Sequence, residues 1–345
     1  MARILYGVQG DSNGHINRSL TVAEILAGHE LLFVGGGTAA KARDAGYNYE
    51  PMPLMGMQVR DNAVQVLPTF LDLAGKWAGQ RKWLRRLRGI ISAFDPDLIL
   101  TDYEYFTPRA ARALGRPCLS LDHQHVLSRT VCETPPGQRF SRLLTTTLMK
   151  YFIPGLHGSL ITSFHQPPLI DPERDALFGV LPRSDVSGME AEAGEHVTMY
   201  LPGCDPEKIC GLFGPRRREC RVYGLGFLPE RGNVKFLPAS RGGFLQDLAS
   251  SAYVVCCGGH GLLTEALLFG KPCLCFPGRL LYEQFWNCHF VQKNGYGRYY
   301  PDFDVAPGIV DAFEAGLDAF AARIKAQSFN GRRQLRDRLN ALLGS

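Results

Sequence analysis

The stretch from Cys256 to Pro272 reads CCGGHGLLTEALLFGKP, and it decides the fold. The apolar run Tyr253–Cys256 predicts a buried strand that leads into the glycine cluster. A helix is predicted over residues 261–270, because Pro272 cannot continue it. A second apolar run, Cys273–Phe276, predicts the next strand. Strand, glycine loop, helix and strand in this order are typical of a parallel α/β sheet.

The start of this helix is predicted to hold a diphosphate. Free amide groups and the helix dipole bind anions there, and glycine lets a ligand approach the backbone. The predicted contacts are Gly258, Gly259, His260, Gly261, Leu262 and Leu263, with Gly203 from the loop after the apolar run Val197–Leu201. Glu265 lies about one turn inside the helix, where its carboxylate can accept hydrogen bonds from ribose hydroxyls. A generic tight turn is the alternative for Gly258–Gly261 alone.

Glu283 and Gln284 follow at the start of another predicted helix. Adjacent helical residues point about 100° apart, but at a helix start both side chains can reach one sugar ring. We therefore predict that this pair binds the sugar of the same ligand.

The first half of the chain repeats the strand–loop–helix pattern. It opens with strand Ile4–Val8, the loop Gln9–Gly14, a helix from about His15 to Ala27, and strand Glu30–Val34. Three later apolar runs predict further strands: Leu98–Thr101, Cys118–Leu121 and Gly158–Phe164. This pattern predicts a doubly wound domain over residues 1–165.

Residues 166–195 are predicted to be a linker, because prolines and glycines interrupt them and their charges are mixed. A second strand–helix series starts at Val197 and fills residues 196–345. The predicted fold class is therefore α/β, with two Rossmann-like domains that face each other across a cleft.

Composition excludes several classes of protein. The chain has 345 residues, is 45% hydrophobic and 21% charged, and contains 38 glycines, which excludes disorder and coiled coils. The net charge of +5 is too small, without a second basic cluster, to indicate a nucleic-acid binder. The apolar runs are too short for a membrane span or a signal peptide. Ten cysteines without a CxxC pair favour a cytoplasmic protein with free thiols and no structural zinc.

A predicted helix over residues 71–94 combines tryptophan with basic residues, most densely between Lys76 and Arg88. Two interpretations stay open for this segment. It could rest on anionic lipid headgroups as a peripheral contact at the inner face of a membrane. It could equally be a solvated basic helix whose tryptophans pack in the core.

Three segments together resemble the donor-site signature of GT-B nucleotide-sugar glycosyltransferases: Gly-Gly-x-Gly-x-x-Thr-Glu-Ala-Leu at 258–267, Gly-Lys-Pro at 270–272 and Tyr-Glu-Gln-x-x-Asn at 282–287. They are similar to the bacterial transferase that adds N-acetylglucosamine to the lipid-linked peptidoglycan precursor, and to UDP-glycosyltransferases. Residues 10–18 resemble the first loop of that fold, and residues 97–104 and 120–125 resemble an uncharacterised prokaryotic subgroup. Cys257 departs from the plant-type signature, which has histidine there.

The resemblance implies a function. The first domain would bind the acceptor, the second would bind the nucleotide-sugar, and the last helix, at about 328–343, would return toward the first domain. The reaction would transfer a sugar from a nucleoside-diphosphate sugar, with a UDP-sugar as the expected donor, to a hydroxyl acceptor. The acceptor would be a small molecule or a lipid-linked cell-envelope precursor. The reaction would need neither metal nor cofactor, because helix termini stabilise the diphosphate and the nucleotide-sugar is a co-substrate.

A general base is needed to take the proton of the acceptor hydroxyl. His15 is the predicted base, because it follows Gly14 at the mouth of the first helix. Asp102 comes off a neighbouring strand end and is predicted to orient it, as the resemblance also implies, with Glu104 as the second choice. The alternatives are a histidine that caps the helix and an aspartate that caps a turn.

The predicted acceptor contacts come from two loops. Asn13 and Arg18 belong to the first loop and helix, and His123 and His125 follow the strand Cys118–Leu121. A structural role is equally compatible with the two histidines. A metal site made by them with Asp122 is not predicted, because no fourth ligand lies nearby in the sequence.

Two other functions stay open. One is a nucleotide-sugar hydrolase, because the loop from Gly14 to Arg18 also resembles that of nucleotide-sugar hydrolases of sialic-acid-like pathways. The other is a non-catalytic subunit that binds a nucleotide-sugar. The presence of both His15 and a full donor motif argues against the second.

Overall fold

A computed structural model describes residues 1–56, 59–60, 63–64, 66–238 and 240–344 of the chain. Two parallel sheets form its framework, each with helices along its faces. The α/β fold class predicted from the sequence is confirmed by this arrangement.

The first sheet has the order β3-β2-β1-β6-β7-β8-β9, and all of its strand pairs are parallel. A short antiparallel pair, β4 with β5, stands apart from it. The strands of this half are β1 (Arg3–Val8), β2 (Glu30–Gly35), β3 (Asn48–Pro51), β4 (Val59–Arg60), β5 (Ala63–Val64), β6 (Leu98–Asp102), β7 (Leu119–Asp122), β8 (Gly158–Thr162) and β9 (Ala176–Phe178).

The second sheet has the order β12-β11-β10-β13-β14-β15 and is also parallel throughout. Its centre is the strand that leads into the glycine cluster. The strands are β10 (Val197–Tyr200), β11 (Cys220–Tyr223), β12 (Val234–Phe236), β13 (Tyr253–Cys256), β14 (Cys273–Cys275) and β15 (Gly297–Tyr299).

Helices connect the strands in both halves. The first half contains α1 (Asn13–Ile25), a 3₁₀ turn (Gly37–Ala40), α2 (Lys41–Asp44), α3 (Val66–Phe94), α4 (Phe106–Ala113), α5 (Val126–Arg129), α6 (Arg139–Phe152) and α7 (Ser184–Ser187). The second half contains α8 (Pro206–Phe213), α9 (Arg241–Ala249), α10 (His260–Leu268), α11 (Tyr282–Lys293), α12 (Gly308–Glu314), α13 (Leu317–Lys325) and α14 (Arg332–Leu343). None of the helices within the described ranges combines the length and the apolar character that crossing a bilayer requires.

The segment predicted as a linker differs from the sequence-based boundary. Residues 176–178 form β9, the edge strand of the first sheet, so the linker prediction for 166–195 needs correction. The strand escaped prediction because it is only three residues long and lies in a segment broken by prolines. Beyond it, Val180 bridges to Asn330, which brings the end of the chain back to the first half.

The two halves share a buried apolar interface. Leu335 and Leu339 of α14 pack in the core of the first sheet. Another cluster joins Ile161 of β8 to Trp286 of α11, and both side chains are fully buried. The strand ends that carry the candidate site are therefore held against each other by packing.

Candidate active site

His15 and Asp102 meet at the carboxyl edge of the first sheet. Val8 pairs with Asp102 in the strand register, so the loop to α1 starts beside the last residue of β6. His15 lies in the first turn of α1, and its Nδ1 is 2.6 Å from Asp102 Oδ1. A carboxylate only accepts hydrogen bonds, so Nδ1 carries the proton and the lone pair of the neutral ring is on Nε2, which lies 3.7 Å from Asp11 Oδ1. This is the tautomer that a general base requires.

Arg18 fixes the same carboxylate from the other side. Its Nε lies 2.8 Å from Oδ2 of Asp102 and its Nη2 lies 2.6 Å from Oδ1, while the Ser19 hydroxyl is 3.3 Å from Oδ2. The Arg18 side chain is buried, with 9% exposed. The Arg18 guanidinium is therefore engaged by Asp102 and orients that residue, while the contact of Arg18 with the acceptor stays a prediction.

Opposing effects set the pKa of His15. Burial lowers it, but the charge of Asp102 and the hydrogen bond to Asp102 raise it, and Asp11 adds a smaller upward effect. The net pKa lies above the ordinary value of a histidine, even though the Arg18 charge acts against the rise. The Asp102 carboxylate thus stabilises the imidazolium that forms when His15 accepts a proton.

A second histidine–aspartate pair lies at the end of the neighbouring strand. His125 Nδ1 is 2.7 Å from Asp122 Oδ2, and the His125 amide donates to the other oxygen of that carboxylate at 2.9 Å. The Tyr103 ring lies between the pairs, 6.4 Å from the ring centre of His15 and 6.3 Å from that of His125. Burial and the charges of Asp122, Glu283 and Asp11 raise the pKa of the Tyr103 hydroxyl. It therefore stays protonated at neutral pH.

Two other predicted residues of the first half have different contacts. Glu104 is buried and accepts hydrogen bonds from the Phe106 amide at 3.0 Å and from the Thr107 amide at 2.6 Å. It therefore holds the start of α4, and its candidacy as the base needs correction. Asn13 is exposed, and its Oδ1 accepts a hydrogen bond from Lys41 Nζ at 2.8 Å.

The glycine cluster leaves the start of α10 open. Gly258 has a φ of +82°, and a Cβ there would lie 2.2 Å from the Cys288 sulfur, so the turn requires glycine. At Gly259 and Gly261 a Cβ would meet no atom of the described residues within 4 Å. No side chain of the described chain caps this helix start. Open space beside two glycines at an uncapped helix start suits an anion.

Two predicted contacts in this helix need correction. The Leu263 amide donates to the Gly259 carbonyl at 3.1 Å and is not available to a ligand. The His260 ring is buried under the first half, stacked 3.7 Å from the ring centre of His123. Only the backbone of His260 remains a candidate contact. Leu262 is half-buried, and Gly203 lies in the loop after β10, beside β13.

His123 connects the two halves. Its Nδ1 is 2.9 Å from the Thr162 carbonyl, its Nε2 is 2.9 Å from Asn287 Oδ1, and Asn287 Nδ2 donates to the Gly258 carbonyl at 3.0 Å. The His123 side chain is fully buried, and burial lowers its pKa. The prediction that it contacts the acceptor is therefore replaced by a structural assignment: it supports the glycine turn from the opposite half.

The three side chains predicted to bind the ribose and the sugar of the donor have different contacts. Glu265 Oε1 is 2.7 Å from Arg183 Nη2, a residue of the segment before α7. Glu283 lies in the first turn of α11, close enough to Tyr103 and His123 for its charge to act on both. Gln284 Oε1 accepts a hydrogen bond from the Gly278 amide at 2.8 Å. The described residues contain no cluster of histidine, cysteine and acidic side chains that could hold a metal ion.

The family follows from a comparison of the chain with protein-family models. The model described as glycosyl transferase family 1 matches residues 2–317. The chain belongs to this family. The sequence-based predictions of a GT-B glycosyltransferase and of an enzyme are thereby confirmed.

Relatives of this glycosyl transferase carry names of the same kind. An uncharacterized glycosyltransferase of Methanosarcina acetivorans is 25% identical over 335 residues, which cover 86% of this chain and 83% of the relative. The solved structure of the glycotransferase of kitacinnamycin has a TM-score of 0.70 at 20% identity and matches 99% of both chains. LpCGTa, solved in complex with UDP, has a TM-score of 0.66 at 18% identity and matches 100% of both chains. These likenesses establish the fold.

Sequence reasoning missed two residues at the site of this glycosyl transferase. Tyr103 has a φ of +58°, and no pattern of residues around it predicts this left-handed conformation. Arg183 pairs with a glutamate 82 positions away, and its only sequence signal is a basic charge in the segment predicted as a linker.

Proposed function

We propose that this glycosyl transferase moves a sugar from a nucleoside-diphosphate sugar to the hydroxyl of an acceptor, with His15 as the general base. The observation that carries the proposal is the short contact between His15 and Asp102, which leaves Nε2 of His15 free to accept a proton. Helix α1, which carries His15, lies against α10, whose open start is the candidate diphosphate site. The base and the leaving group would thus share one cleft.

The proposed step balances without a redox partner. The acceptor oxygen forms a bond to the anomeric carbon as its proton passes to Nε2 of His15. The bond between the anomeric carbon and the phosphate oxygen breaks, and the nucleoside diphosphate leaves with the electron pair. Asp102 stabilises the imidazolium, and the amides at residues 259–262 stabilise the diphosphate.

UDP is the nucleotide that we propose for the donor; among neighbours of the same fold, LpCGTa was solved with UDP and SsfS6 with thymidine diphosphate. The diphosphate would lie over the open glycines of α10. Once its ion pair with Arg183 is broken, Glu265 would accept hydrogen bonds from the ribose hydroxyls. Glu283 and Gln284 would bind the sugar, for which Gln284 must leave the Gly278 amide.

The acceptor proposed here is a hydroxyl compound, either a small molecule or a lipid-linked precursor of the cell envelope. The proposed location is the cytoplasm or the inner face of the membrane. Asn13, in the first turn of α1, and His125, which follows β7, are the proposed acceptor contacts, because both lie at the same sheet edge as His15.

A two-stage experiment tests the function. Thermal melting of the full chain is followed with UDP-, GDP- and dTDP-sugars, because a ligand that binds only the native state raises the melting temperature. The nucleotide-sugar that stabilises the chain is then incubated with candidate hydroxyl acceptors, and products are measured by mass spectrometry. Transfer to an acceptor supports the proposal. Release of free sugar at an equal rate with and without acceptors would identify a hydrolase, and no stabilisation by any nucleotide-sugar would refute the donor site.

A further inference from the structure

Helix α6 exposes large apolar side chains to solvent. Phe140 is 74% exposed and Leu143 is 65% exposed, and Leu144, Leu148 and Tyr151 are also exposed. Isolated apolar residues are common on protein surfaces, but contiguous apolar patches mark interaction sites.

The spacing of these residues places them on one face. At 100° per residue, Phe140, Leu143, Leu144, Leu148 and Tyr151 lie within an arc of about 140°. Met149, the buried residue of α6, lies opposite this arc. The helix is thus anchored by its inner side and turns its apolar side outward.

The charged residues of helix α6 have one sign. Helix α6 contains Arg139, Arg142 and Lys150 and no acidic residue. Arg139 and Lys150 are exposed and flank the apolar arc on the side of Leu143. Cations at the edge of an apolar helix face are the pattern of helices that lie in a membrane interface.

Helix α3 extends the positive surface. The rings of Trp77 in α3 and Tyr151 in α6 meet edge to face, with centres 6.1 Å apart. Arg109 of α4 supports this junction and donates to the Phe152 carbonyl at 2.6 Å. From the junction α3 continues with five exposed basic residues: Arg81, Lys82, Arg85, Arg86 and Arg88. Arg86 pairs with Glu50, and the other four extend the positive surface. The apolar and basic faces therefore adjoin.

We propose that α6 and residues 76–88 of α3 form a docking face for a membrane that contains anionic phospholipids. The apolar arc of α6 would enter the boundary between headgroups and acyl chains, and the basic residues would bind the headgroups. A helix of 14 residues, about 21 Å long, is too short to span a bilayer but suits an interfacial position. The absence of acidic side chains on α6 favours an anionic lipid surface over a second copy of this basic face.

The proposal does not depend on the proposed function, because it uses none of the residues assigned to the donor or to the base. It does give a lipid-linked acceptor a route to the enzyme, since α6 also contacts α11, the helix that carries Glu283 in its first turn.

Vesicle sedimentation tests the docking face. The full chain is mixed with vesicles of phosphatidylcholine alone, or of phosphatidylcholine with about 30% phosphatidylglycerol. We expect binding to the anionic vesicles that weakens when salt is raised to about 0.5 M. The variant F140N/L143N should lower the partition coefficient by about tenfold or more, because it removes two apolar side chains that would enter the membrane interface. The variant R81E/R85E should abolish the preference for anionic lipid.

A matched control is Phe227→Asn, because Phe227 is 81% exposed in the second half of the chain. It should bind vesicles like the parent chain. Melting temperatures and nucleotide-induced shifts of all variants report folding and donor binding separately, and the single variant L143N replaces the double variant if the latter melts early. Equal binding to both vesicle types, or binding that F140N/L143N leaves intact, would overturn the proposal. A dimer in light scattering that F140N/L143N dissociates would also overturn it and assign the face to self-association.

Discussion

The guanidinium of Arg183 lies 2.7 Å from a carboxylate oxygen of Glu265, and both side chains are mostly buried, with 13% and 17% exposed. Glu265 is the residue proposed to accept the ribose hydroxyls. A donor that uses this carboxylate must therefore displace or share Arg183. The ion pair couples the end of the first half to the donor helix α10.

Replacing Glu265 by alanine should weaken nucleotide binding by about 1–3 kcal/mol, the loss expected when hydrogen bonds to a charged group are removed. Isothermal titration calorimetry with the stabilising nucleotide measures it. Glu207→Ala is the matched control, because Glu207 is an exposed glutamate of the same half that pairs with Arg231. Unchanged affinity in Glu265→Ala would refute the ribose assignment.

Replacing Arg183 by glutamine should have the opposite effect. Without the competing guanidinium, the nucleotide should bind at least about twofold more tightly, because even exposed ion pairs contribute up to about 1 kcal/mol and this pair is mostly buried. The control is Arg231→Gln, which breaks an exposed pair of the same type and should not change affinity. Weaker binding in Arg183→Gln would mean that Arg183 itself contacts the donor.

His123 should matter for stability. Alanine at this position removes contacts to the Thr162 carbonyl and to Asn287, and it leaves a cavity beside His260. The free energy of unfolding should fall by about 2–4 kcal/mol, as for other buried hydrogen-bonded side chains. Urea denaturation measures the loss. The exposed His157 offers the comparison, and equal effects of His157→Ala and His123→Ala would contradict the assigned link.

The strand ends and helix starts that form the site could be predicted from the sequence, because short local patterns determine them. Apolar runs that end at glycine or polar residues fix strand ends, and parallel strands bring those ends to one edge. This reasoning placed His15 and Asp102 on neighbouring strand ends, where the structure has them in contact. The open glycines of α10 followed from the same logic.

The remaining contacts depend on packing between distant segments. Glu104 and Asp102 are two residues apart in sequence, yet one holds a helix start and the other holds His15. For His123 the sequence predicts an acceptor contact or a structural role, because nothing local shows that α10 and α11 cover it. Such burial across the two halves cannot be inferred from one segment.

The pH dependence of turnover should report the pKa of His15. The base must be neutral, so kcat/KM should rise with pH through a pKa above the ordinary histidine value of about 6.5. Asp102→Asn removes the charge that raises this pKa, so the rising limb should move to lower pH. Because the folded pKa is raised, the interaction stabilises the fold fully below the unfolded pKa, and this stabilisation is lost as pH rises through the folded pKa. A limb that stays in place would exclude coupling between the two residues.

Turnover itself gives the sharpest test of the base. His15→Ala should reduce kcat by about 10²–10⁴-fold, the usual contribution of a positioned general base, and leave nucleotide affinity nearly unchanged. Asp102→Asn should reduce kcat by the same factor as His15→Ala or by a smaller one. The double variant should lose little more than the worse single variant, because residues that act as one unit are not additive. His125→Ala is the informative comparison, since His125 has an aspartate partner of its own. If His125→Ala abolished transfer while His15→Ala kept near-native turnover, the base would belong to the second pair.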